Sequence, residues 1–490
     1  MSSGHWLGLL ALIILLPLGS VQSAPLPSRD LTLENGLRMV LVRAPRAPLV
    51  VVQVWYRVGA MDEQNGKTGL AHMLEHMMFQ GTESTPPAEY SKIISRHGGE
   101  NNASTSHDYT NYYAKISSEH LELVLRLEAD RMRNLVLKEK EFLSENKVVQ
   151  EERRVRTDAD PNARMMEKYR ALSYGEHPYG RPVIGPMKDI QGLNLADLKG
   201  WYKRYYAPNN AILVVAGDLE LDGAEALVRK HFGPLKADPD LQPVHSPPLS
   251  IPKAPKRLEV RDAEARLPIW VAGFPFPSGM DSKSQDDAFA LDLLMTAMGG
   301  GSSSRLNQSL VRHKKLAVSA RAGGGGFYGR SGGMGSIHVT PRPGVSLEKI
   351  EQAVFEEVDR LRWDPISDRE LERIKNSMLA ADVYEKDSIN SMATTIGRVL
   401  VSGGDWKLHT EKFTQLVRAV TADAVRDAAQ HYLDPQRVTV GILLPEKRTP
   451  TQKRPLVESS SKAGTPSPAE PSPSADKADT SSLVLKGVTP

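Results

Sequence analysis

The chain repeats itself. After Pro48 comes Leu49-Val-Val-Val-Gln-Val-Trp-Tyr-Arg-Val-Gly-Ala-Met61-Asp62, and after Pro268 comes Ile269-Trp-Val-Ala-Gly-Phe-Pro-Phe-Pro-Ser-Gly-Met280-Asp281. Each is a β-rich run, a glycine turn, Met-Asp and then an apolar helical stretch. The two prolines lie 220 residues apart and the two Met-Asp pairs 219. Both halves also close alike, with Tyr206-Ala-Pro208 before the run Ala211–Gly217 and Tyr432-Leu-Asp-Pro435 before Val438–Leu444. A duplicated α/β domain is the simplest account. A proline-dense stretch from Asp238 to Pro255 blocks helix and ladder alike and divides the copies.

The ends read differently. Trp6 to Leu18 is almost unbroken apolar sequence, followed by small residues up to Ala24, which predicts a secretory signal over residues 1–23. Its first residues contain no Lys or Arg, so an uncleaved inner-membrane anchor is the alternative. From Glu446 the chain turns to Pro, Ser, Thr, Ala and Lys, a tail with too little apolar content to fold. There is no cysteine, which excludes disulfides, thiolate ligands and a thiol nucleophile and suits a periplasmic or secreted protein. A net charge of +3 gives no reason to expect nucleic acid as a partner, and no second stretch has transmembrane length.

Histidine is scarce, 13 residues in 490, yet His72 and His76 stand four apart with Glu75 between them. On a helix that spacing puts both imidazoles on one face, within reach of one metal ion. Two incidental histidines on an amphipathic helix would be the plainer account. Leu70, Met73, Leu74, Met77, Met78 and Phe79 argue against it, because polar groups in so apolar a helix need satisfying. In the second copy the corresponding positions fall near Leu291, Leu294 and Met295, so one copy carries the chemistry and the other shapes a cavity.

Catalytic zinc usually takes three protein ligands and keeps one open position. The third can be His, Asp or Glu at a distance. The stretch Phe142–Arg154 reads as a helix with Glu145 and Glu152 two turns apart on one face. One carboxylate can ligate while the other orients a histidine, although a solvated charged helix fits the same letters.

Taken in order, several segments resemble the pitrilysin (insulinase) family of zinc peptidases, the inverzincins. They are Gly69–Thr82, Asn102–Tyr112, Val148–Glu152, His177–Gly185 and Tyr206–Asn210. The resemblance is to the half-size bacterial type, similar to mitochondrial processing peptidase subunits, over about Leu31 to Pro445. The resemblance implies an α+β fold of two duplicated α/β-sandwich domains: a catalytic one over 28–236, a linker over 237–257, and a non-catalytic one over 258–445. It implies one Zn²⁺ per chain on His72, His76 and Glu152, with Glu75 as general base and Glu145 behind a ligand. Asn102, Ala103 and Ser104 become an edge strand that pairs with extended substrate, and Arg305 a further substrate contact. His107 and His177 read as structural. The implied function is an exported zinc metalloendopeptidase for peptides or unfolded polypeptides. The alternative is a non-catalytic or zinc-binding subunit of a heterodimeric peptidase. Full-length members enclose substrate with four such domains, so a homodimer or a heterodimer with a related inactive chain is expected.

Overall fold

The computed structural model describes residues 26–242, 246–281, 285–324 and 327–446. The expected signal segment and the tail beyond residue 446 lie outside them. Eleven strands are described: β1 (Ser28–Thr32), β2 (Arg38–Arg43), β3 (Leu49–Tyr56), β4 (Glu100–Thr105), β5 (Thr110–Ser117), β6 (Ala211–Gly217), β7 (Lys256–Asp262), β8 (Ile269–Phe276), β9 (Ala317–Gly324), β10 (Gly333–Pro341) and β11 (Thr439–Pro445). β7 starts at Lys256, so the last two residues of the expected linker already pair in a sheet.

The strands form two sheets, ordered β1-β2-β6-β3-β5-β4 and β7-β11-β8-β10-β9. Apart from β1, the second order is the first with each strand replaced by its counterpart. The directions match as well. β2 and β7 run parallel to β6 and β11, and every other counterpart pair is antiparallel. The duplication is therefore in the topology, and the fold is the expected pair of α/β sandwiches.

Why the central strands are so apolar follows from how they are covered. Strands buried on both faces read as continuous hydrophobic runs rather than alternating ones. In β3, Val50, Val52, Val54 and Tyr56 join the core formed with the first half's own helices. Val51 and Trp55 face the other way, onto Met392, Ala393, Ile396 and Leu400 of the helix Ile389–Val401. That helix belongs to the second half. Gln53 lies on the same face and would be an uncompensated polar group there. It donates to Asn390 Oδ1 and Thr394 Oγ1, both at 3.0 Å, and accepts from Trp55 Nε1 at 3.0 Å. The exchange is reciprocal. The first half's helix Pro161–Tyr174 puts Met165 and Tyr169 against Val260, Val271 and Leu443 of the second sheet.

Candidate metal centre

The motif helix spans Leu70–Met77 and buries Leu70, Ala71, Met73, Leu74 and Met77. Its N-terminus has no side-chain cap of its own. Gly69 adopts φ +89° there, and a Cβ on it would come within 2.4 Å of the Ile184 carbonyl oxygen. Only glycine meets both demands. The cap comes from upstream: buried Glu63 accepts from Gly69 N at 2.9 Å and from Ala71 N at 2.8 Å. A carboxylate is well placed at the positive end of a helix. Burial nevertheless pushes Glu63 up to about 8, against the pull of those two amides.

The second helix, Glu139–Arg153, carries Glu145 and Glu152. Next to Glu152, the buried Arg153 side chain donates to the Gly185 carbonyl at 3.0 Å and pairs with Glu167 at 2.8 Å. Gly185 packs against Thr68 and Gly69, so one arginine ties the carboxylate helix to the start of the motif helix.

Between these helices His72, His76 and Glu152 converge, their ligand atoms all within 4.8 Å of one another; among the described residues this is the metal-capable group. Glu152 Oε2 lies 3.3 Å from His76 Nε2 and 3.8 Å from His72 Nε2. Ligands about 2.1 Å from a tetrahedral zinc stand roughly 3.4 Å apart, so the trio suits zinc by donor chemistry and by spacing. Glu145 Oε2 meets His76 Nδ1 at 3.3 Å, which turns Nε2 toward Glu152. Gln80, one turn beyond His76, donates to the other Glu145 oxygen at 2.8 Å. Arg156 pairs with Glu152 Oε1 and leaves Oε2 to the imidazoles. Glu151 is exposed and pairs with Arg154. His72 Nδ1 is buried without a hydrogen-bond partner among the described residues.

The titrations follow from this packing. Burial lowers His72 to about 4, helped by His76. Burial also works against a charge on His76, but the carboxylates of Glu145 and Glu152 raise it to about 10. Glu152 goes down to about 2, because its desolvation is outweighed by the two imidazoles. With no metal ion, the trio thus holds a proton on His76. Glu75 is raised by burial, partly offset by Thr105, whose hydroxyl donates to Glu75 Oε2 at 2.5 Å.

Thr105 ends β4, and β4 stands at the edge of its sheet, with β5 as its one strand partner among the described residues. Asn102, Ala103 and Ser104 lie half-buried along that strand, on the approach to Glu75. His107 and His177 face carbonyls, Arg181 O at 2.9 Å and Pro247 O at 3.0 Å, and stand apart from the trio. Arg305 is held by Glu370 at 2.8 Å in a cavity of about 950 Å³ lined by second-half residues alone. In the second half, Leu291, Leu294 and Met295 are buried on the helix Gln285–Gly299, where the first half has its polar trio.

Sequence reasoning missed Gln80, Arg156, Thr105 and Glu63. Gln80 and Arg156 stand four residues from His76 and Glu152, a helical spacing that could have found them. Thr105 lay unmarked inside a segment already singled out. Nothing in the sequence signals Glu63.

Comparison with known proteins points the same way. The family described as Insulinase (Peptidase family M16) matches residues 38–187, and the Peptidase M16 inactive domain matches residues 192–378. The chain is 34% identical to the zinc protease PqqE of Helicobacter pylori, over 88% of this chain and 97% of that protein. A crystal structure of a protease from Helicobacter pylori superposes with a TM-score of 0.80 at 32% identity, covering 86% of this chain and all of that one. The periplasmic protease PqqL of Escherichia coli shares the fold, with a TM-score of 0.74 at 19% identity over 86% of this chain and 48% of its own.

Proposed function

Since the chain belongs to the insulinase (M16) family of peptidases, we propose that it is an exported zinc metalloendopeptidase in which Glu75 is the general base. The observation that carries this reading is the convergence of His72, His76 and Glu152 beside a buried, Thr105-tethered Glu75. Zinc bound by the trio would acidify a water to a pKa near 7 and polarise the scissile carbonyl. Glu75 accepts the water's proton and delivers it to the departing amine. Its raised pKa brings it closer to the range in which one carboxyl both takes and returns a proton near neutrality. The edge of β4 turned away from β5 carries the backbone groups of alternate residues, to which an extended peptide would add as another strand along Asn102, Ala103 and Ser104, displacing the Asn102 side chain whose Oδ1 accepts from Ala103 N at 2.8 Å. Most extended segments of a folded protein are already paired in its own sheets, which favours peptides and unfolded polypeptides. Arg305 belongs to this reading only through the cavity it lines with Glu370.

The export reading rests on the apolar N-terminal run and the absence of cysteine. No helix among the described residues is long and apolar enough to cross a membrane. The deciding experiment measures zinc content and cleavage of a quenched peptide together. Wild type should cleave in a chelator-sensitive way, and Glu75→Gln should keep its zinc and lose cleavage. Zinc loss or retained activity in that variant would overturn the assignment of the base.

A further inference from the structure

The second half lacks the metal residues, yet it sends one charged side chain into the first half. Arg330 lies between β9 and β10, and its side chain is almost wholly buried, 3% exposed. Its Nη2 donates to Asp62 Oδ2 at 2.9 Å, its Nε to Asp108 Oδ1 at 3.3 Å, and its backbone N to Asp108 Oδ2 at 3.1 Å. Both carboxylates have other donors. Gly59 N meets Asp62 Oδ2 at 2.9 Å, and the Tyr179 hydroxyl meets Asp108 Oδ1 at 2.6 Å. The site is thus a buried ion cluster in which one guanidinium spans two acids at once, its Nη1 alone left without a hydrogen-bond partner among the described residues.

The two turns it joins each sit one residue from the active-site machinery. Asp62 precedes Glu63, the cap of the motif helix. Asp108 closes the turn Ser106–Asp108, which starts right after Thr105, the residue that holds Glu75. The turns also pair directly, Ala60 N to Ser106 O at 3.0 Å and Met61 N to His107 O at 2.9 Å. Removing a guanidinium from between two buried acids leaves them to repel or to take up a proton, and either way removes the side-chain tie between the turns.

We propose that Arg330 is a positioning residue for catalysis: from the inactive half it locks together the two turns that set the motif helix and the Thr105–Glu75 contact. The proposal rests on the peptidase reading above for its kinetic consequence and on the geometry alone for its structural one. The inactive half would then complete the active site as well as wall it.

The test compares wild type with Arg330→Met and Arg330→Lys. In zinc-loaded, folded protein, Arg330→Met should lower kcat at least tenfold, toward the roughly hundredfold cost of a 1 Å misplacement, and leave KM within about threefold. Arg330→Lys, which keeps the charge, should recover part of kcat. Should Arg330→Met fail to fold, the variant Asp62→Asn/Arg330→Met/Asp108→Asn removes the opposed charges with it and should fold while keeping the low kcat. Wild-type kcat in Arg330→Met or in the triple variant, or a loss matched by loss of zinc, overturns the proposal. Amide exchange is a readout independent of activity. Peptides covering residues 59–77 and 100–109 should exchange faster in Arg330→Met, and unchanged exchange there refutes the lock. Inactive wild type with the exchange effect intact would sink the peptidase reading instead.

Discussion

Glu152 and Glu151 are neighbours in sequence with opposite surroundings. Glu152 turns one oxygen to both imidazoles, while Glu151 points outward to Arg154. Glu152→Gln should weaken zinc retention on dialysis by at least tenfold and Glu151→Gln should leave it unchanged; the reverse pattern would shift the ligand by one residue. Protons report on the same trio. At pH 7.5 the metal-free site holds neutral His72, ionised Glu152 and protonated His76, given values of about 4, 2 and 10. Zinc uptake should release close to one proton, so apparent affinity rises about tenfold per pH unit and levels off above about 10. Calorimetry in buffers of different ionisation enthalpy gives the proton count, and zero released protons would contradict the shift on His76. Two members of the trio were legible because His72 and His76 lie four apart on one helix, where spacing dictates the face. The choice of Glu152 over Glu151 was not legible from spacing, since adjacent residues on a helix differ only by what packs around them.

Among the elements, the motif helix depends on a cap that no local pattern announces. Gly69 takes the N-cap position for steric reasons, and Glu63 reaches it from outside the helix. Glu63→Ala strands two buried amides and should cost about 1–3 kcal/mol in urea unfolding. Glu63→Gln probes the charge. The folded carboxyl titrates near 8 against 4.5 in the unfolded chain, so the folded state holds an extra proton between those values. Its contribution is full below pH 4.5 and is lost as pH rises through 8, a decline the Gln variant should lack in unfolding measured at several pH values. Strands were readable from their apolar runs, and β3 and β6 are the clearest. The polar Gln53 inside β3 could not be explained by sequence, because its partners Asn390 and Thr394 lie in the other half.

At the scale of the whole molecule, the duplication visible in the sequence proved to be a topological one. How the copies interlock was not visible. Each sheet is finished by the other half's helix, and the contacts rely on small residues at close approach. A Cβ on Gly397 would fall 2.1 Å from the Trp55 indole nitrogen, and one on Gly441 would fall 2.6 Å from the Tyr169 ring. Periodicity identifies the apolar face of a helix without naming the sheet that receives it. The chain has two such sandwiches, half of the four-domain enclosure that the family resemblance leads one to expect. Native light scattering should therefore give a particle near twice the chain's 53.9 kDa, and a fully active monomer would exclude the shared chamber.

The reciprocal helices also have a consequence in time. Ribosomes deliver a chain from its N-terminus, and domains normally fold as they emerge. Here the first sheet is complete in sequence at Gly217, but the helix that seals its outer face begins only at Ile389. Until then Val51, Trp55, Ile212 and Val214 lack the helix that covers them, and Tyr109 and Leu26 of their own half shield only part of that face. The half that carries His72, His76 and Glu152 is synthesised first and finished last. An unfinished chain therefore exposes a broad apolar sheet face, which a holding chaperone or an unfolded passage through a membrane would have to manage.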